Sequence, residues 1–139
     1  LCNVLGPFDR GASAKKNAIT YMIDLLKKDE DVFLYNSGTP TRDIMHVEDV
    51  CSAIDIVCSK GELNGIYNIG SGNPTTISYV IETAKNLLNS SSNIYSKSPP
   101  DFHKIVQVEN FWMDTSKLKQ LGFVQTISIN SIIQELCHQ

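Results

Sequence analysis

Short apolar runs alternate with stretches of helical periodicity along nearly the whole of this 139-residue chain, and that alternation limits the fold more than any other feature. Leu1–Leu5 is a strand candidate closed by the turn signal Gly6-Pro7, and a turn-rich loop follows to Lys16. In "NAITYMIDLLKK", Ile19, Met22, Ile23 and Leu26 recur at helical spacing. Val32–Tyr35 and Ile44–Val47 are short strands separated by a turn over Asn36–Thr41. The next run carries Val50, Ala53, Ile54 and Val57 as one helical stripe, with Glu48 and Asp49 in the first turn and Lys60-Gly61 at the end. "GIYNIGSGN" then predicts a strand closed by a glycine turn. Ile77, Val80, Ile81, Ala84, Leu87 and Leu88 predict an amphipathic helix with Thr76 as N-cap. A short strand over Asn93–Tyr95, a small helix between an Asp114 cap and Gly122, and a closing helix over "SINSIIQELCHQ" complete an α/β order.

Composition narrows the class. A hydrophobic content of 42% with 19% charged residues reads as globular, and one domain with a real core fits this length where two do not. The net charge of −3 argues against a partner that is nucleic acid, whose phosphates need a basic surface. No apolar run approaches the roughly 20 residues that span a bilayer, so no membrane role is expected and a cytoplasmic location is. Cys2, Cys51, Cys58 and Cys137 have no metal-site or redox-dithiol spacing and are expected to be reduced and mostly buried. The apolar start without Met reads as an interior strand, and so as part of a longer chain.

Few residues announce chemistry by themselves. His46 lies in an apolar strand, His103 in a loop and His138 in the tail, none in a metal-ligand pattern. Asp43, Glu48 and Asp49 read first as turn and helix-N-terminal acids. Gly70-x-Gly72 is only a fragment of a dinucleotide fingerprint. Arg42 is different: at the junction of a turn and a strand, a guanidinium can aim its planar fork at a phosphate or carboxylate. A surface ion pair with Asp43 or Glu48 is the competing expectation.

Taken in order, "NVLGP" at 3–7, "YNSGTPTRDIMHVEDV" at 35–50, "GIYNIGSG" at 65–72 and "DTSKLKQLGF" at 114–123 resemble successive motifs of the NAD(P)-dependent nucleotide-sugar epimerase/dehydratase family, the extended short-chain dehydrogenases. The resemblance implies the C-terminal part of a Rossmann-type doubly wound sheet plus the small substrate-binding lobe, with residues 1–139 forming that substrate-binding portion. It implies a nucleoside-diphosphate sugar as ligand, NAD or NADP held mainly by an N-terminal part, and a homodimeric parent enzyme.

Residue by residue, the resemblance places Asn3 and Asn17 near the sugar nucleotide, Phe33 and Leu34 at the base pocket, Arg42 on the diphosphate, and Leu1 and Cys2 beside the nicotinamide. One departure stands near Asp101. Where many members carry an arginine three residues earlier this chain has Ser98, with Lys97 adjacent as a weaker point charge. The sequence also holds neither G-x-x-G-x-x-G nor Tyr-x-x-x-Lys, so the expected role is to anchor substrate, and these residues alone are expected to be inactive. A non-catalytic nucleotide-sugar-binding or structural module lacking the redox half is the alternative.

Overall fold

The computed structural model describes residues 1–7, 17–101 and 108–139. The expected loop at residues 8–16, with Lys15 and Lys16, lies outside them, as does His103. The elements are β1 (Asn3–Leu5), α1 (Ala18–Lys27), β2 (Val32–Tyr35), β3 (Thr41–His46), α2 (Val47–Lys60), β4 (Pro74–Thr76), α3 (Ile77–Leu88), β5 (Ile94–Lys97), α4 (Ser116–Gln120) and α5 (Ile129–His138). A single 3₁₀ turn, Asn36–Gly38, joins β2 to β3.

Three strands form one sheet in the order β1-β3-β4, and β2 pairs with β5 in a second. β1 runs parallel to β3, pairing Asn3 with Ile44 and Leu5 with His46. β4 is antiparallel to β3, with Pro74 opposite Asp43. An edge strand tolerates Pro74 because nothing there requires its absent N–H.

β3 divides the interior. Side chains alternate along a strand, so Ile44 faces one way and Met45 the other. Ile44 joins a core of Ile19, Ile23, Leu26, Val32, Leu34, Val80, Ile81, Ile132, Ile133 and Leu136, in which α1, α3 and α5 pack together. Met45 joins a second core with Cys2, Val50, Ala53, Ile69, Leu118 and Phe123.

Several local expectations need correction. No strand forms over Gly65–Ile69; the fourth strand is Pro74–Thr76. The backbone around Ile69 still meets the sheet, because its carbonyl accepts from the Cys2 N–H at 2.9 Å. Ile54 is exposed, since Val50, Ala53 and Val57 already define the inward face of α2 and Ile54 falls beyond its edge. Only Cys2 and Cys137 are buried; Cys51 and Cys58 are exposed.

The expected caps fare better. Thr76 accepts from the Tyr79 N–H at 3.2 Å. Gly122, at φ +94°, closes α4 by donating to the Lys119 carbonyl, while Phe123 donates to Leu118. The backbone cap of α4 is Thr115, one residue after Asp114, whose carboxylate accepts from the Ser116 N–H at 2.9 Å.

Two buried polar groups bind α2 to the chain that follows. His46 caps α2: its Nδ1 accepts from the Glu48 N–H at 3.2 Å, which puts the ring hydrogen on Nε2, 2.8 Å from Glu135 of α5. Asp49 is not a solvated first-turn acid. It is 2% exposed and accepts from Thr126 N–H, Thr126 Oγ1 and Ile127 N–H at 3.0, 2.7 and 2.9 Å.

Ile81 is fully buried where α1, α3 and α5 meet. Ile81→Ala is expected to lower the unfolding free energy by about 2–5 kcal/mol, read from urea-denaturation midpoints. Tyr79→Phe, on the exposed side of α3, is expected to change it by less than about 1 kcal/mol.

Candidate functional site

An open cleft of about 880 Å³ lies between β1, α1 and the β2–β5 ribbon. Its walls bring together Cys2, Asn3, Asn17, Phe33, Leu34, Arg42 and Lys97, which the sequence scatters over nearly a hundred positions. Leu1, 68% exposed, and Asp101 are not part of the wall.

The ribbon sets out its residues in order. Phe33 pairs with Tyr95 and Tyr35 with Lys97, in parallel register. Phe33 and Tyr35 share a face, as does Asp31 beyond them, so the wall runs from acid through aromatic to cation over about 13 Å. Phe33 and Tyr95 stack with ring centroids 5.4 Å apart, and both are largely exposed. A solvated aromatic pair of this kind is a ready surface for a flat ring. Asp31 fixes the ribbon's start by accepting from the Asn93 N–H at 2.8 Å. Leu34, 3% exposed, belongs to the core and touches the cleft from below.

The tight turn after β2 delivers Arg42. Asn36, Ser37 and Gly38 are all left-handed, at φ 49°, 54° and 74°. A Cβ on Gly38 would stand 2.7 Å from the Ser78 nitrogen, so only glycine fits. The chain then passes Pro40 into β3. Arg42 Nη1 donates to the carbonyls of Thr41 at 2.7 Å and Glu109 at 3.2 Å. Partial burial pulls its pKa below the ordinary arginine value, which still leaves it cationic at neutral pH.

The ion pair expected as the alternative does not form. Among the described residues the Lys27–Asp24 ion pair and the His46–Glu135 hydrogen bond are the basic–acidic side-chain contacts, neither involving Arg42.

Asp43, next in the strand, turns the opposite way and is fully buried. It is a strand residue and not a turn acid. Its Oδ1 accepts from the Ser71 N–H at 2.8 Å and the Ser71 hydroxyl at 2.6 Å, and its Oδ2 from the N–H groups of Gly72 at 3.0 Å and Met113 at 3.1 Å. This explains the glycine pair. A Cβ on Gly70 would come within 2.6 Å of Asp43 Oδ2, and Gly72 is left-handed at φ 72°. The two glycines let backbone close on a carboxylate.

Cys2 sits beside this group. Burial first, and the Asp43 charge second, push its thiol up to about 11. It is therefore not a thiolate at neutral pH and cannot serve as a nucleophile there. Sequence periodicity missed Tyr21, Met22, Leu25 and Ile77 as cleft residues, because a position on an amphipathic face looks the same whether it meets core or cavity. Tyr35 was findable from its alternation with Phe33.

No group of His, Cys, Asp and Glu among the described residues could hold a metal ion. No helix among them is long and apolar enough to cross a membrane.

The model of the NAD dependent epimerase/dehydratase family matches residues 1–70, half of the chain. The chain belongs to that family of nucleotide-sugar enzymes. The low-salt glycan biosynthesis protein Agl12 of Haloferax volcanii is 26% identical over 126 residues, covering 88% of this chain and 37% of its own. A dTDP-glucose 4,6-dehydratase from Bacillus anthracis, solved in complex with NAD, is 27% identical, covers 99% of this chain and 41% of its own, and superposes with a TM-score of 0.81. A Thermotoga maritima UDP-glucose 4-epimerase with UDP-glucose shares the Rossmann-type fold at a TM-score of 0.86 and 23% identity, covering 99% of this chain and 43% of its own. This chain thus spans less than half the length of each.

The burial pattern sets thiol reactivity. With an aromatic disulfide reagent at pH 8, Cys51 and Cys58 are expected to react promptly and Cys2 and Cys137 to lag until denaturant is added. Because the folded pKa of Cys2 is raised, its stability contribution is complete below pH 9 and lost as the pH climbs toward 11. Urea midpoints of the parent and Cys2→Ala measured between pH 8.5 and 10.5 should therefore diverge, the parent falling more steeply.

Proposed function

We propose that residues 1–139 are the substrate-binding portion of an NAD(P)-dependent nucleotide-sugar epimerase or dehydratase, and that the cleft grips the nucleoside diphosphate of the sugar nucleotide. The observation that carries this reading is the convergence on one cleft of the cationic Arg42 and Lys97 with the exposed Phe33, whose ring is backed by Tyr95. In this arrangement the diphosphate lies toward Arg42 and Lys97, and the base lies on the Phe33 side of the ribbon. Asn3 and Asn17 offer amide groups on the α1 side of the same space.

An arginine whose Nη1 is tied to two carbonyls still carries three N–H donors on Nε and Nη2. Those donors suit a diphosphate, and the tether lowers the entropy lost on binding. Holding the distant diphosphate fixes the sugar relative to the reacting groups, where orientation governs rate.

The cofactor fits these residues poorly. A dinucleotide pyrophosphate needs a glycine turn between a strand and a helix N-terminus. Here β3 passes into α2 through His46, and β4 into α3 through Thr76. The best glycine pair is committed to Asp43. We therefore assign NAD or NADP mainly to sequence beyond these residues, and assign no redox step to them.

Calorimetry with UDP-, dTDP-, GDP- and CDP-sugars is the test. Arg42→Ala is expected to weaken binding of the preferred sugar nucleotide roughly ten- to a hundredfold, while stability falls by less than about 1 kcal/mol. Arg42→Lys should recover part of the loss, because an ammonium lacks the planar fork. An Arg42→Ala affinity within twofold of the parent would overturn the diphosphate assignment. The same 139 residues are expected not to bind NAD at low-micromolar concentration, and a calorimetric isotherm in that range would refute the division of labour.

A further inference from the structure

We propose that Asp43 is the positioning residue for Arg42: a buried carboxylate that touches no ligand and sets the geometry of the guanidinium that does. The inference rests on the reading of Arg42 as the diphosphate anchor.

Asp43 is 0% exposed, and among the described residues no cation pairs with it. Burying an uncompensated charge is costly, and a neutral side chain would fill the same space without that cost. What a carboxylate adds is acceptor capacity. Two oxygens take four donors from two distant segments, Ser71-Gly72 and Met113, and fasten both to β3.

Both segments lead to the cleft. Met113 ends the stretch containing Glu109, whose carbonyl accepts from the Thr41 N–H at 3.1 Å and from Arg42 Nη1. In return Phe111 N–H donates to the Thr41 carbonyl, the other acceptor of Arg42 Nη1. The two carbonyls that hold the guanidinium therefore belong to a backbone exchange that Asp43 closes at its far end. On the other side, Ser71 and Gly72 follow Ile69, whose carbonyl accepts from Cys2 N–H. Cys2 and Asn3, next to and in the strand that pairs with β3, line the same cleft. One carboxylate thus sets Arg42 relative to both its tether and the neighbouring β1 part of the cleft. Asp43 and Arg42 point to opposite faces of β3, so the influence must pass through backbone.

A double-mutant cycle tests this, with UDP as the probe and calorimetry at a temperature where circular dichroism shows every variant folded. Asp43→Asn keeps the shape and replaces one acceptor by a donor. It is expected to weaken UDP binding about five- to twentyfold when Arg42 is present and less than twofold in the Arg42→Ala background. A purely structural role predicts a lower melting temperature with unchanged affinity of the folded protein. Affinity within twofold of the parent, or equal weakening in both backgrounds, would overturn the inference. If Asp43→Asn does not fold, Ser71→Ala removes one of the four bonds, and an affinity loss of about two- to fivefold that disappears without Arg42 is expected; no change overturns the proposal. If Arg42→Ala itself binds UDP as well as the parent, the functional reading fails and this inference with it. If Arg42→Ala weakens binding and Asp43→Asn does not, only the inference fails.

Discussion

Strand β3 is covered on both faces, and most of the structure depends on the alternation this imposes. Arg42, Ile44 and His46 take one side, and Asp43 and Met45 the other. Each side chain has a different task. Arg42 lines the cleft, Ile44 and Met45 anchor separate cores, Asp43 gathers backbone donors, and His46 caps α2 and reaches α5. A one-residue slip of β3 would exchange every one of these roles, so register is held by far more than the ladder hydrogen bonds.

Buried acids supply much of the connectivity. Asp43 and Asp49 have no partner cation among the described residues; Asp43 accepts four hydrogen bonds and Asp49 three, all from backbone N–H groups and hydroxyls. Hydrogen bonds to a charged group are worth about 1.5–3 kcal/mol each, which offsets desolvation only when nearly every lone pair is filled. The segments they hold, at 71–72, 113 and 126–127, lack long regular structure of their own. Loops pinned this way can border a binding cleft and still keep a fixed shape.

The cleft itself is built from short elements under local constraint. Three successive left-handed residues turn the chain from β2 into β3. The ribbon of β2 and β5 is tied at one end by Asp31 and continues into that turn at the other, where the Ser37 hydroxyl donates to Ser96 at 2.9 Å. This keeps exposed aromatic rings and a lysine in register on one wall, at positions that a solvated loop would leave mobile.

The alternating order of strands and helices, the caps at Thr76 and Gly122 and the family were all legible in the sequence by itself. Each depends on neighbours within a few residues or on collinear motifs. The tertiary structure alone decided that Gly65–Ile69 would not be a regular strand, that Asp43 and Asp49 would be internal hubs, that Ile54 would face solvent, and that Tyr21, Met22 and Ile77 would border a cavity. The reason is physical. Periodicity reports which side of an element avoids water, but what meets that side is fixed by partners 70 and 77 residues away, such as Met113 on Asp43 and Thr126 on Asp49.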